Sequence, residues 1–105
     1  MSDFVSLISF KVHPGREADF IEAFIASGML SRPREIEGFK SASLLRQRDD
    51  PTRFAVTARW DAPDAYAAWQ DVSESGAPRS ALIKLAECIA ETAPGQLYET
   101  LSARF

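Results

Sequence analysis

Residues that bind metals or form disulfides are nearly absent from this chain of 105 residues. It has one cysteine, Cys88, and one histidine, His13, and it has no asparagine at all. One cysteine cannot form an internal disulfide, and these two residues are too few for an ordinary zinc site or a histidine-based iron site. The five glycines form neither a phosphate-binding loop nor a dinucleotide-binding motif. We therefore expect no metal and no cofactor.

A strong net charge and long apolar runs are also lacking. The formal net charge of −3 gives no positive field for a polyanion, so we expect no nucleic-acid partner. Arg32 and Arg34 form only a loose pair, which is typical of a solvated surface. No apolar run is long enough to cross a membrane, and the first residues lack the features of a signal peptide. With 46% apolar and 26% charged residues, the composition predicts one globular domain over residues 1–105, located in the cytoplasm.

The order of the predicted elements indicates the fold class. Strands are predicted over residues 4–12, 39–48, 53–60 and 97–103. Helices are predicted over residues 16–27, 63–72 and 79–91. Asp61 and Asp64 are spaced as a cap for the second helix, and Cys88 falls in the apolar stripe of the third, as a buried thiol would. The order β-α-β-β-α-(α)-β is typical of the α+β class, a ferredoxin-like antiparallel sheet with helices on one face.

The predicted sheet is apolar on both faces. Val5 and Leu7 alternate with Phe10 along the first strand, and Leu44 and Leu45 lie on opposite faces of the second. An antiparallel sheet with one solvated face should instead alternate cleanly between apolar and polar residues. The chain has no further element to cover a second apolar face, so we expect a homodimer.

The stretch from Phe54 to Trp69 predicts an aromatic corner between a strand and a helix. The strand ends at Trp60, and the helix that follows places Tyr66 and Trp69 three residues apart on one face. Three large rings with polar tips therefore converge. The corner is either a core seam or the wall of an aromatic pocket.

This stretch also carries a family resemblance. Together with three earlier blocks it resembles the antibiotic biosynthesis monooxygenase (ABM) domains, over most of the chain from Phe4 to Phe105. The four blocks are Pro14–Phe20, Gly38–Ala42, Leu44–Pro51 and Phe54–Trp69. The resemblance implies a ferredoxin-like domain that pairs sheet to sheet as a dimeric α+β barrel. It also implies oxidation of a small aromatic substrate by O2 without a cofactor.

An apolar cavity with a few polar groups would suit that chemistry. A deprotonated phenol can itself donate an electron to O2, so the protein need only exclude water, hold the ring and stabilise the developing oxyanion. The predicted catalytic donors are the Tyr66 hydroxyl and the Trp60 indole N–H. The predicted substrate-binding residues are Trp69, Phe24, Arg79 and Lys84, the last two as a source of positive charge. For each of these residues an ordinary place in the core or on the surface stays open as the alternative.

Two features of the better-studied relatives are missing. Those monooxygenases carry an asparagine on the third strand, near the position of Val56 here, and the haem-degrading relatives use a histidine on a later helix that has none in this chain. Haem chemistry is therefore disfavoured. We predict a cofactor-independent monooxygenase acting on an aromatic quinol or polycyclic phenol. Two alternatives remain: a non-catalytic domain that binds an aromatic metabolite, and an isomerase or lyase of the same superfamily.

Overall fold

The structure, a computed structural model, describes residues 3–103. Within these residues the elements are β1 (Phe4–Val12), α1 (Glu17–Ala26), a short 3-10 helix (Arg32–Glu35), β2 (Phe39–Arg46), β3 (Arg53–Trp60), α2 (Pro63–Val72), α3 (Arg79–Cys88), β4 (Ile89–Thr92) and β5 (Gln96–Glu99). The predicted bounds of β1, β3 and α2 are confirmed, and α1 and β2 are slightly shorter than predicted. Across the described residues, no helix has the length and apolar character that a bilayer crossing requires.

The strands form one antiparallel sheet around β1. On one side β1 pairs with β3, which pairs in turn with β2. On the other side β1 pairs with β4 near Val12 and with β5 near Phe4. Ile8 lies opposite Val56 in the middle of the β1–β3 pair. The α+β, ferredoxin-like class is therefore confirmed, with one edge strand divided in two.

The division of that edge corrects two predicted elements. The helix predicted to Glu91 ends at Cys88, because Ile89 has extended backbone (φ −84°, ψ 121°) and pairs with Val12. Ile89 continues the helical apolar spacing, but an inward-facing strand residue fits the same position. The last strand spans Gln96–Glu99 rather than residues 97–103.

The predicted cap of α2 is wrong. Ala62 is the N-cap residue, and no side chain caps the helix. The Asp61 N–H instead donates to the Gly38 carbonyl oxygen at 2.8 Å, and a methyl group on Gly38 would come within 2.2 Å of Asp61 Oδ1. Because Asp61 packs closely against Gly38, its carboxylate is not placed to reach the N–H groups of the helix.

The first core cluster fills the inner face of the sheet near Val12. Its centre is Phe20 of α1, which is fully buried and lies 4.8 Å from Phe54, centroid to centroid. The other buried members are Val12, Ala23, Phe24, Leu85 and Cys88. Four elements, β1, β3, α1 and α3, are held together by this cluster. The predicted burial of the Cys88 thiol is confirmed.

The second core cluster lies at the opposite end of the inner face. Trp60 at the end of β3 is fully buried, and its ring centroid is 5.8 Å from that of Tyr66 on α2. Ala58 and Ala65 complete the buried set. This cluster fixes α2 to β3.

The outer face of the sheet carries apolar side chains that belong to neither cluster. Val5 pairs with Tyr98, and Leu45 pairs with Ala55 two strands away, all on this face. Leu45 is 48% exposed and Tyr98 is 50% exposed. The expected apolar residues are therefore present on the outer face, where they lie beside polar ones such as Thr57 and Arg59.

Replacing Phe20 by alanine should lower the stability more than replacing an exposed apolar residue of the same helix. We expect Phe20→Ala to lower the free energy of unfolding by about 3–5 kcal/mol, because it removes a ring from a closed cluster. The matched control is Ile25→Ala, where the side chain is 60% exposed, and its expected change is within about 0.5 kcal/mol. Urea denaturation followed by circular dichroism measures both. Equal losses in the two variants would contradict this description of the core.

Candidate functional site

A cavity of about 490 Å³ lies over the middle of the inner sheet face. Ile8 and Val56, which pair across β1 and β3, are part of its lining, and α1 contributes Phe24. Trp69, which packs against the second cluster, lines it from α2. The volume is in the range of small-molecule sites, and rings and aliphatic chains make up most of the wall.

Apart from the indole N–H of Trp69, three side chains of residues 3–103 bring polar groups to the lining of the cavity. They are Ser73 and Glu74, just after α2, and Thr92 at the end of β4. Thr92 Oγ1 already donates to the Ser9 carbonyl oxygen at 3.3 Å. Glu74 is the one ionisable residue of the lining, and no cation of residues 3–103 forms an ion pair with it. Among the described residues, the lining therefore includes one negative group and no positive one.

Tyr66 has a buried hydroxyl without a hydrogen-bond partner among the described residues. The residue is 6% exposed and is not itself part of the lining. A methyl group on Gly95 would come within 2.2 Å of the Tyr66 Oη and 2.9 Å of Ile8 Cγ1, so the hydroxyl lies beside the cavity residue Ile8. Burial raises the pKa of Tyr66 above its ordinary value of 10.0, which keeps the phenol protonated and able to donate.

Trp60 does not offer its indole N–H to the cavity. Nε1 donates to Ser6 Oγ at 3.0 Å, within the core, and Trp60 is absent from the lining. Its ring instead packs against Tyr66 and, edge to face at 5.4 Å, against Phe39. The geometry gives the predicted catalytic role of Trp60 no support and shows a packing role.

The four predicted substrate-binding residues divide into two pairs. Trp69 and Phe24 both line the cavity, whereas Arg79 and Lys84 do not. Arg79 is exposed at the start of α3. Lys84 lies two positions from Leu82, a lining residue, and so points to the opposite side of the helix. The predicted positive charge is therefore not at this cavity.

Arg32 is the residue beside the cavity that the sequence did not indicate. Its guanidinium carbon lies 5.1 Å from the centroid of the Trp69 ring. Its nitrogens also donate to three main-chain carbonyl oxygens, those of Ser27, Val72 and Ser73. The last two are some forty residues further along the chain, and no local pattern could have connected them to Arg32.

A second, more open depression has four carboxylates among its eight lining residues. Glu35, Glu37, Asp61 and Asp64 surround it, with a volume of about 410 Å³. These four side chains are exposed. No group of three or more metal-ligating residues in the described chain is placed to hold an ion. The apolar cavity is therefore the better candidate for a ligand site.

Comparison with known proteins identifies the family. The antibiotic biosynthesis monooxygenase family model matches residues 3–77, and no curated protein sequence matches. A candidate antibiotic biosynthesis monooxygenase from Nitrosomonas europaea has 21% identity and a TM-score of 0.74, covering 94% of this chain and 90% of that one.

Two further solved structures share the fold. One is SnoaB, a cofactor-independent oxygenase from Streptomyces nogalater, with 18% identity, a TM-score of 0.67 and coverage of 100% and 97%. The other is a dimeric ferredoxin-like protein from an uncultured marine organism, with 12% identity, a TM-score of 0.79 and coverage of 100% and 93%. At these identities the structural matches show the fold alone, and the family model carries the assignment. The chain belongs to the antibiotic biosynthesis monooxygenase family.

Proposed function

We propose that the protein is a cofactor-independent monooxygenase that oxidises an aromatic quinol or polycyclic phenol with O2. The observation that carries the proposal is the apolar cavity with an unpartnered, protonated phenol, Tyr66, beside it. The family and the fold shared with a cofactor-independent oxygenase support the same reaction class. One atom of O2 becomes a carbonyl oxygen on the ring, and the other leaves as water with two hydrogens of the substrate.

The cavity would contribute to this reaction mainly through its apolar walls. The substrate loses a proton to water, and its anion donates one electron to O2. The two radicals combine as a peroxide on a ring carbon and the peroxide takes up a proton. The O–O bond then breaks as that carbon loses its hydrogen, so one oxygen stays as the carbonyl and the other leaves as water. Apolar walls, including Phe24 and Val56, exclude bulk water from that intermediate. The Tyr66 hydroxyl would donate to the oxygen on which negative charge develops, once the ligand moves the Ile8 side chain beside it.

Binding without chemistry is the second candidate function. It is favoured by the composition of the lining, which has an aliphatic Val56 on the third strand and no cation. Such a cavity holds a flat apolar molecule whether or not it activates O2. Turnover therefore has to be measured separately from binding.

Oxygen uptake with a panel of anthrones, naphthols and hydroquinones tests the proposed function. For at least one compound of the panel, we expect the protein to raise the rate of O2 consumption above that of the uncatalysed oxidation. With ¹⁸O2, the product should carry one labelled oxygen atom. Uptake should survive prior dialysis against a chelator. Binding of panel members with no uptake for any of them would favour the second candidate function.

Replacing Tyr66 by phenylalanine should separate catalysis from folding. We expect Tyr66→Phe to lower kcat by about tenfold or more, because a positioned donor to an oxyanion contributes roughly 1.5–4 kcal/mol. The unfolding free energy should not fall, because the lost hydroxyl has no hydrogen-bond partner among residues 3–103. The matched control is Tyr98→Phe, which changes an exposed tyrosine on the outer face. An unchanged kcat for Tyr66→Phe would remove the hydroxyl from the mechanism.

Glu74 should set a charge preference at the cavity. We expect wild-type protein to bind 2-naphthol more tightly than 2-naphthoate, and Glu74→Gln to reduce that ratio about fivefold, the size expected for unit charges about 4 Å apart in water. Glu22→Gln is the control, since Glu22 is an exposed residue of α1 outside the lining. Calorimetric titration at two salt concentrations measures both ratios. The same ratio in wild type and Glu74→Gln would contradict this role.

We also propose that the protein is a homodimer, formed through the outer face of the sheet. The half-exposed Leu45 and Tyr98 lie on that face and have no place in either core cluster. One sheet face can meet the same face of its own copy across a two-fold axis, which is the commonest arrangement of oligomers.

Light scattering tests the dimer. We expect about twice the chain mass of 11.6 kDa for the wild type, and the single mass for Leu45→Lys, because the charge would be buried unpaired at the interface. Ile83→Lys is the matched control, on α3 and 51% exposed. A wild-type monomer, or a Leu45→Lys dimer of wild-type strength, would overturn the proposed interface.

A further inference from the structure

Arg32 connects the ends of two helices that border the cavity. Nη1 donates to the carbonyl oxygens of Ser27 at 3.1 Å and Ser73 at 2.9 Å, and Nη2 donates to that of Val72 at 2.7 Å. These carbonyls lie at the C-terminal ends of α1 and α2. Helix ends leave such acceptors unpaired and partly negative, so a cation at this point satisfies both ends at once.

The same guanidinium also packs over a wall of the cavity. Its central carbon is 5.1 Å from the centroid of the Trp69 ring, within the range of a cation–π contact. Trp69 lines the cavity, but Arg32 does not. Arg32 therefore contacts the face of a lining ring from outside the cavity.

The residues held by these contacts form one border of the cavity. Ser73 is anchored directly, Glu74 follows it in the chain, and Met29 lies two residues after the anchored Ser27. All three line the cavity, together with Trp69. We propose that Arg32 is a positioning residue of the cavity, which fixes the Trp69 ring and the Ser73–Glu74 segment for the ligand. This inference rests on the proposed function only in taking the cavity as the ligand site.

Two glycines leave room for this arginine. A methyl group on Gly76 would come within 2.4 Å of Arg32 Nη2, and one on Gly28 within 2.5 Å of Arg32 Cδ. Gly28 has φ +77° and needs to be glycine for that reason as well. Gly76 has no such backbone requirement, so Gly76→Ala would displace the guanidinium while leaving it present.

Lysine could not replace the arginine at this site. The guanidinium is planar and has several donors in a fixed fork, so it can bond three carbonyls in one plane and stack on an indole. An ammonium group is a point charge on a flexible stem. A purely electrostatic role at the helix ends would tolerate Arg32→Lys, whereas a positioning role would not.

Ligand affinity and stability should therefore respond differently to changes at Arg32. The probe is 2-naphthol, titrated calorimetrically at a temperature where circular dichroism shows each variant folded. We expect Arg32→Lys and Arg32→Met to weaken binding about tenfold, as misplaced binding groups do. Arg34→Met, an exposed neighbour in the same 3-10 helix, should bind like wild type. Wild-type affinity in folded Arg32→Lys and Arg32→Met would overturn the proposal.

Gly76→Ala keeps the test decisive if the arginine variants do not fold. It should weaken 2-naphthol binding severalfold, because the displaced guanidinium no longer holds Trp69 and Ser73. Unchanged affinity in this variant would also contradict a positioning role.

Tryptophan fluorescence separates this inference from the proposed function. If wild-type protein binds no naphthol, the ligand site fails, but the position of Trp69 can still be measured. Acrylamide quenching should then rise in the folded arginine variant (Arg32→Met, or Gly76→Ala in its place), and the rise should disappear when Trp69→Phe is added and only Trp60 emits. Equal quenching in wild type and variant would show that Arg32 does not hold the ring.

Discussion

The structure depends on a mismatch between the length of the sheet and the length of its helices. The nine residues of β1 extend about 30 Å, whereas a helix of ten residues extends only about 15 Å. The packing of α1 and α3 therefore covers one end of the inner face, and α2 covers the other. The middle, where Ile8 pairs with Val56, is left as the floor of a cavity. The edge strand is divided at the same level of the sheet, since the break between β4 and β5 falls beside Ile8 and contains Gly95.

Much of the fold follows from local patterns along the chain. Alternation over β1 and β3, and the break at Pro63, place three elements at their observed bounds. The sequence does not locate the junction at Cys88, because Ile89 is apolar and in phase for a helix as well as for an inward-facing strand. What ends α3 there is pairing with Val12, a contact between residues far apart in the chain. The cap of α2 escaped prediction for a similar reason, since Asp61 is held by Gly38.

Lining residues of the candidate site could be predicted only where the helix face on which a residue lies decides whether it reaches the cavity. Trp69 and Phe24 lie on the apolar faces of their helices, and both line the cavity. Trp60 lies on the inner, apolar face of β3. The hydrogen bond from its N–H to Ser6, however, depends on the register of β1 against β3. Arg32 begins a short 3-10 helix that has no apolar periodicity, and its partners come from two helix ends. Its role is set by tertiary contacts, so nothing in its neighbourhood distinguishes it from a surface arginine such as Arg34.

The unpartnered hydroxyl of Tyr66 is the feature that folding alone explains least. A buried donor without a partner costs about 1–3 kcal/mol, and phenylalanine would fill the same space without that cost. The floor of the cavity has the aliphatic Val56 on β3, and no amide side chain of the described residues lines the cavity. Under the proposed function, the Tyr66 hydroxyl beside Ile8 is the donor to the oxyanion, and burial keeps its proton in place. Under the proposed function, the cost to stability and the capacity to stabilise an oxyanion have the same origin. A hydroxyl that already donates within the core, as the Trp60 N–H does, could not donate to a ligand.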